Sequence, residues 1–93
     1  MRVDSGFSDW AELIKAIAGE LQVLVLVNLI YPRNVADLCF EVGYKQATVS
    51  NALAMLKAHG LVVFDQAGRH HIYRLTDLGW KLATAIVDLE NLS

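Results

Sequence analysis

Pro32 and the glycines at 43, 60 and 68 cut the middle of this chain into short segments. Proline cannot continue a helix and biases Tyr31 before it towards extended backbone. Glycine ends helices in the left-handed conformation that other residues avoid. Asn34 offers an N-cap with Asp37 three residues on, a weak capping box, so a short helix is expected over Val35–Val42 and stops at Gly43. After a turn, a second helix is expected from about Lys45 to His59, ended by Gly60. Val49, Ala52, Leu53 and Leu56 form its inward stripe, while Gln46, Thr48, Asn51 and Lys57 lie off that stripe.

Past Gly60 the pattern changes. Leu61-Val62-Val63-Phe64 and His70-His71-Ile72-Tyr73-Arg74-Leu75 are β-prone runs around the polar stretch Asp65-Gln66-Ala67-Gly68, which reads as the turn of a hairpin. Thr76 can cap a last helix from Asp77 to about Leu92. Its apolar residues fall on two stripes, one of Leu78, Leu82, Ile86 and Leu89 and one of Trp80, Ala83 and Val87. Upstream, Phe7, Trp10, Leu13, Ile14 and Ile17 recur at helical spacing between Ser8 and Gly19. Glu20 to Ile30 is apolar nearly all round, which predicts a buried central helix. The expectation is one mainly α domain with a β-hairpin, spanning residues 1–93.

Composition bounds what such a domain does. At 55% hydrophobic and 19% charged, the chain has enough apolar side chains to offset ordering entropy. One cysteine leaves no intramolecular disulfide framework, zinc finger or CxxC motif. Leu21 to Ile30 is the most apolar stretch, and Gln22 and Asn28 interrupt it; a bilayer needs roughly 20 residues. Met1 to Gly6 carries one Arg and no apolar run, so neither a secretory leader nor a membrane partner is expected, and the expected location is the cytoplasm. The apolar excess on Phe7, Trp10, Ile14, Trp80, Ile86 and Leu89 exceeds what a small core encloses. It predicts a homodimer built from the helices at 7–18 and 77–92.

Net charge is −2, yet the charge is unevenly spread. Residues 43–76 hold Lys45, Lys57, Arg69 and Arg74 against Asp65 alone, together with all three histidines. Local rather than total charge sets the field at a binding face. Helices of this size fit the major groove of DNA, where exposed polar side chains reach base edges. Gln46 and Asn51 suit adenine in bidentate fashion, Thr48 a base or a phosphate, and Ser50 a phosphate. Lys45 stands beside a helix N-terminus that already favours an anion. Lys57, Arg69, His70 and His71 complete the candidate DNA-binding set, the last three from the hairpin. The plain alternative is that all of these are solvated polar residues on an ordinary helix and hairpin.

The order of elements, with Val35-Ala36-Asp37-Leu38, Gly43-Tyr44, Ala47-Thr48-Val49-Ser50-Asn51-Ala52-Leu53, His59-Gly60-Leu61-Val62 and Ile72-Tyr73-Arg74-Leu75-Thr76, resembles the winged helix-turn-helix regulators of the ArsR type. Leu75-Thr76-Asp77-Leu78-Gly79 is also similar to the wing-to-helix junction of MarR- and PadR-like proteins. The resemblance implies a helix-turn-helix at about 34–59, a wing at 61–75 and terminal dimerisation helices. It also implies a sequence-specific transcriptional regulator that binds double-stranded DNA, and the homodimer expected from the apolar excess would favour a palindromic operator. The competing function is a winged-helix protein-interaction module or a non-specific DNA-binding subunit.

Metal-sensing members of that family place a cysteine pair on the short helix, or Asp and His on the last one. Here Cys39 is alone, between Leu38 and Phe40, and the last helix has Asp88 and Glu90 but no His. One thiolate is not a tetrahedral soft-metal site, so no metal, cofactor or identifiable effector is expected. Cys39 reads as a small buried hydrophobe, with a redox switch as the alternative. His70 and His71, adjacent on a strand, face opposite ways and do not chelate one ion easily. His59 reads as part of a helix end. Neither a nucleophile–base pair nor a phosphate-cradling glycine loop occurs, which argues against an enzyme.

Overall fold

The computed structural model describes residues 19–92. These form four helices and three strands: α1 (Glu20–Asn28), β1 (Arg33–Asn34), α2 (Val35–Val42), α3 (Gln46–Ala58), β2 (Val62–Ala67), β3 (His70–Leu75) and α4 (Asp77–Leu92). Phe7, Trp10, Ile14 and the helix expected over 7–18 lie outside the described residues.

The local signals act as their chemistry dictates. The Asn34 side chain accepts the Asp37 amide at 2.8 Å and starts α2. Gly43 ends it at φ 76, and Gly60 follows α3 at φ 74. The central helix stops at Asn28, short of Ile30. Asn28 turns its side chain back to the Leu24 carbonyl at 2.8 Å, and its own carbonyl accepts Arg33 Nε at 2.8 Å. An orphan acceptor at a helix C-terminus is thereby satisfied by a side chain from the next element.

Three features differ from the sequence expectation. A two-residue strand, β1, pairs antiparallel with β3 (Arg33 opposite Tyr73, Asn34 opposite Ile72), making a sheet of order β1-β3-β2. Next, the hairpin turn is not residues 65–68. Asp65, Gln66 and Ala67 continue β2 and pair with Ile72, His71 and His70, leaving Gly68 and Arg69 as a two-residue turn. Gly68 at φ 62 takes the positive dihedral at the first turn position, as two-residue hairpins with a leading glycine require. Last, α4 buries Gly79, Leu82 and Ala83 with Ile86 half-buried, whereas Leu78 is 40% exposed and does not belong to the inward stripe.

The core lies where α1, α3 and the hairpin base meet. Val25 and Leu26 of α1, Leu38 of α2, Val49, Leu53 and Leu56 of α3, and Leu61 and Val62 are all buried to within 1%. Each fully buried aliphatic side chain contributes on the order of 1.5–3 kcal/mol. This core fixes the orientation of α3 relative to the hairpin, and so positions the polar surface they share.

Candidate nucleic-acid interface

Helix α3 is buried along Val49, Ala52, Leu53 and Leu56, so the rest of its surface is outward. Gln46, Thr48, Ser50 and Asn51 are all exposed. At 3.6 residues per turn they do not form one stripe. Asn51 lies opposite the buried side, with Ala47 and Ala54 one turn before and after it. Gln46 and Lys57 lie on one edge and Thr48 and Met55 on the other. Contacts bear this out: Met55 S receives Gln22 Nε2 of α1 at 3.6 Å, while Lys57 Nζ stands 5.0 Å over the Phe64 ring of β2.

The N-terminus of α3 is left open. Lys45 holds the N-cap position in extended backbone without a side-chain cap, and the first turn contains no acid. The amides of Gln46, Ala47 and Thr48 are the orphan donors of this end, and they reinforce the dipole's positive end. By contrast Asn34 caps α2, Asp37 sits in its first turn, and Thr76 Oγ1 accepts the Gly79 amide in α4 at 3.1 Å.

The wing brings its tip back to that open end. A cleft of about 260 Å³ is lined by Asn34, Val35 and Ala36 from the start of α2, Gln46 from α3, and Arg69, His70 and His71 from the wing. Four of the nine candidate DNA-binding residues thus converge on one concave surface. Lys45, Thr48, Ser50 and Asn51 continue outward along α3. Lys57 does not join them. It is eleven residues from Gln46, about 16 Å along the helix axis, and is placed over Phe64 at the middle of the wing. His71 also stacks on Phe64, with centroids 4.3 Å apart and planes 16° apart, so this histidine is oriented by the ring. Arg74 is spoken for as well: its Nε donates to Asp65 Oδ2 at 2.8 Å.

Asn34, Val35 and Ala36 were not legible as cleft residues. The capping signal at Asn34 places the start of α2, but its meeting with the wing depends on the β1–β3 pairing, which is non-local. Cys39 is half-buried and packs against the core. Among the described residues no three His, Cys, Asp or Glu come together in a group able to hold a metal ion, and no helix is long and apolar enough to cross a membrane.

On α4 large apolar side chains stand exposed beside Asp77, Lys81, Thr84 and Asp88. Trp80 is 44% and Leu89 66% exposed, and a shallow depression is lined by Trp80, Lys81, Thr84, Ala85 and Asp88. Ile86, grouped with them by the sequence pattern, is half-buried on the protomer's own core.

Residues 19–63 match the family described as bacterial regulatory protein, arsR family. The HTH-type transcriptional regulator NmtR of Mycobacterium tuberculosis is 38% identical over 68 residues, which cover 72% of this chain. The chain spans only 57% of that relative's length. Among solved structures, reduced HlyU from Vibrio cholerae superposes with a TM-score of 0.86 at 22% identity, over 94% of both chains. The transcriptional repressor BigR from Xylella fastidiosa gives 0.85 at 22% identity, over 94% of this chain and 88% of its own. The homodimeric winged helix-turn-helix DNA-binding domain of Mb0332 from Mycobacterium bovis gives 0.80 at 24% identity, over 97% and 85%. Identities this low carry the fold alone, and that fold is the winged helix-turn-helix.

Proposed function

Through the helix-turn-helix domain at residues 19–63 this chain belongs to the ArsR family of bacterial regulatory proteins, and from that premise we propose that it is a cytoplasmic, homodimeric transcriptional regulator that binds double-stranded DNA sequence-specifically. The observation that carries the reading is the cleft between α3 and the wing. A helix in the major groove and a wing reaching the neighbouring groove must straddle one sugar–phosphate strand. In helix-turn-helix proteins the first helix of the motif crosses the backbone while the second enters the groove. The cleft has that arrangement, with the first turn of α2, the open end of α3 and Arg69 around it. Gln46, Thr48 and Asn51 then serve as base-reading side chains. Lys45, Ser50, Arg69 and His70 contact phosphate or a narrow minor groove, and His71 and Lys57 support the wing at Phe64.

The dimer rests on α4. Exposed Trp80 and Leu89 supply an apolar face. A twofold pair would set two α3 helices about 34 Å apart and select a palindrome.

Mobility shifts with the DNA upstream of the protein's own gene, against random duplex, test the function; sedimentation at micromolar concentration tests the dimer. Specific retardation by a species of twice the chain mass is expected, and its absence on both counts would overturn the proposal. One observation favours a second reading, a protein-interaction module: Phe40, on the outer face of α2, is 86% exposed. DNA affinity that falls with Arg69→Ala but is unchanged with Phe40→Ala separates the two.

A further inference from the structure

We propose that α3 reads thymine methyl groups on either side of an adenine, with Ala47 and Ala54 packing on the methyls and Asn51 pairing with the adenine. This rests on the DNA-binding reading and goes further by naming the bases. The inward direction of α3 is fixed by Val49, Ala52, Leu53 and Leu56, all at most 3% exposed. Opposite them lies Asn51, and its neighbours on the same ridge, four residues before and three after, are Ala47 and Ala54. All three are exposed. The two methyls stand about 6 Å and 4.5 Å from Asn51 along the helix axis, within one or two base-pair steps. The outermost ridge of α3 therefore presents one amide side chain between two methyl groups.

The chemistry of base edges narrows the choice. Adenine offers an N7 acceptor and an N6 donor, which an amide side chain meets in bidentate fashion, and thymine offers a methyl for apolar contact. Guanine offers two acceptors and is read by Arg or Lys. From Gln46 to Leu56, α3 contains neither; of the two cations that flank this stretch, Lys45 sits at the N-cap beside the open amide end and Lys57 is engaged over Phe64. Cytosine presents an N4 donor for a carboxylate, and α3 has no acid. Gln46, lining the cleft, is a second amide suited to adenine. Arg69 at the wing tip independently favours the narrow minor groove of A·T-rich DNA.

The test begins with selection from a random 30-base-pair duplex library by the full chain, followed by affinity measurements on the best duplex carrying single base changes. A·T pairs are expected at the contacted core of each half-site. Replacing a contacted thymine by uracil removes only the methyl and is expected to weaken binding about fourfold. Replacing the contacted adenine by 7-deaza-adenine, which lacks the N7 acceptor, is expected to weaken wild-type binding and leave Asn51→Ala unaffected. Ala54→Ser, which keeps the size and helix of the site, is expected to erase most of the uracil penalty at its own thymine. A selected site with a G·C core, or one indifferent to uracil, overturns this inference while leaving the DNA-binding reading standing. Failure to enrich or retain any duplex overturns the DNA-binding reading itself, and this inference with it.

Discussion

The two ends of the hairpin obey different physics. At its base Val62 is fully buried and Leu75 is 4% exposed. Thr76 there ties three elements together: its hydroxyl donates to the Gly60 carbonyl at 2.6 Å and its amide to the Leu61 carbonyl at 3.1 Å. The same hydroxyl accepts the Gly79 amide and starts α4. At the tip Ala67, Gly68, Arg69 and His70 are all exposed, and the hydrogen bond from Gln66 Nε2 to the Gly68 carbonyl at 2.9 Å is local. The base is an extension of the core, while the tip is arranged for something outside the protomer. Substitutions at the base should therefore move stability, and substitutions at the tip should move binding.

Gly79→Ala is the largest test. A Cβ at this position would press into the Leu61 carbonyl oxygen, the acceptor of the Thr76 amide, with Leu75 Cδ2 only 3.3 Å away. The obstacle is backbone, so no rotamer relieves it. Overpacking of this kind costs about 3 kcal/mol, offset by about 1 kcal/mol of improved helix propensity. The expected net loss of about 2 kcal/mol lowers Tm by roughly 8–16 °C, measured by thermal unfolding. DNA affinity of the folded fraction should be unchanged; an undisturbed Tm would remove Gly79 from the account of the base.

Thr76→Val comes next. It keeps the β-branched shape and removes the hydroxyl that bonds Gly60 and Gly79. Loss of a helix N-cap costs about 1 kcal/mol, to be read from urea unfolding with an unchanged m-value. If the variant instead weakened DNA binding without loss of stability, the division between base and tip would fail.

These two positions differ in how visible they are in the sequence. Thr76 before an apolar periodic run is a local capping signal, as are Asn34, Gly43 and Gly60, and all four act as read. Gly79 gives no local signal, because its requirement comes from Leu61 eighteen residues earlier. β1 was invisible for the same reason: two residues do not make a periodic pattern, and only pairing with β3 defines them as a strand. Polar Asp65 and Gln66 look like turn residues, yet pairing with Ile72 and His71 outweighs their composition and moves the turn to Gly68 and Arg69. At the candidate interface, Gln46, Thr48 and Asn51 were legible as outward from the spacing of Val49, Leu53 and Leu56. Their distribution over two edges and a centre follows once α1 and the wing are in place. The placement of Lys57 over Phe64 joins two elements across a turn, which no one-dimensional spacing reports.

Arg69→Ala tests the tip. Arg69 is exposed, follows Gly68 in the turn and lines the cleft beside Gln46. Its removal should leave Tm within about 1 °C, since exposed side chains away from such features change stability little. Binding to specific and random duplex should weaken alike, by about three- to fivefold, with the salt slope reduced by about one per subunit. Unequal losses on the two duplexes would make Arg69 a base reader. A fall in Tm would make the tip part of the fold.

Asp65→Asn, the smallest effect, locates the boundary between the two regions. Asp65 lies in β2 beyond Phe64, and its carboxylate accepts Arg74 Nε at 2.8 Å with the two side chains 60% and 50% exposed. A pair this open to water contributes less than about 1 kcal/mol, often nothing measurable, so unfolding free energy should shift by a few tenths at most. The charge effect runs the other way. Asp65 is the lone acid between residues 43 and 76, and neutralising it frees Arg74 and raises the field of the basic segment. DNA affinity should rise by about twofold at low ionic strength, and the gain should disappear near 0.5 M salt, where the screening length falls below about 5 Å. A stability loss beyond 1 kcal/mol would extend the base past Asp65. Weaker DNA binding at unchanged stability would mean that the Asp65–Arg74 pair holds the wing in its binding geometry, and the tip would then begin only at Ala67.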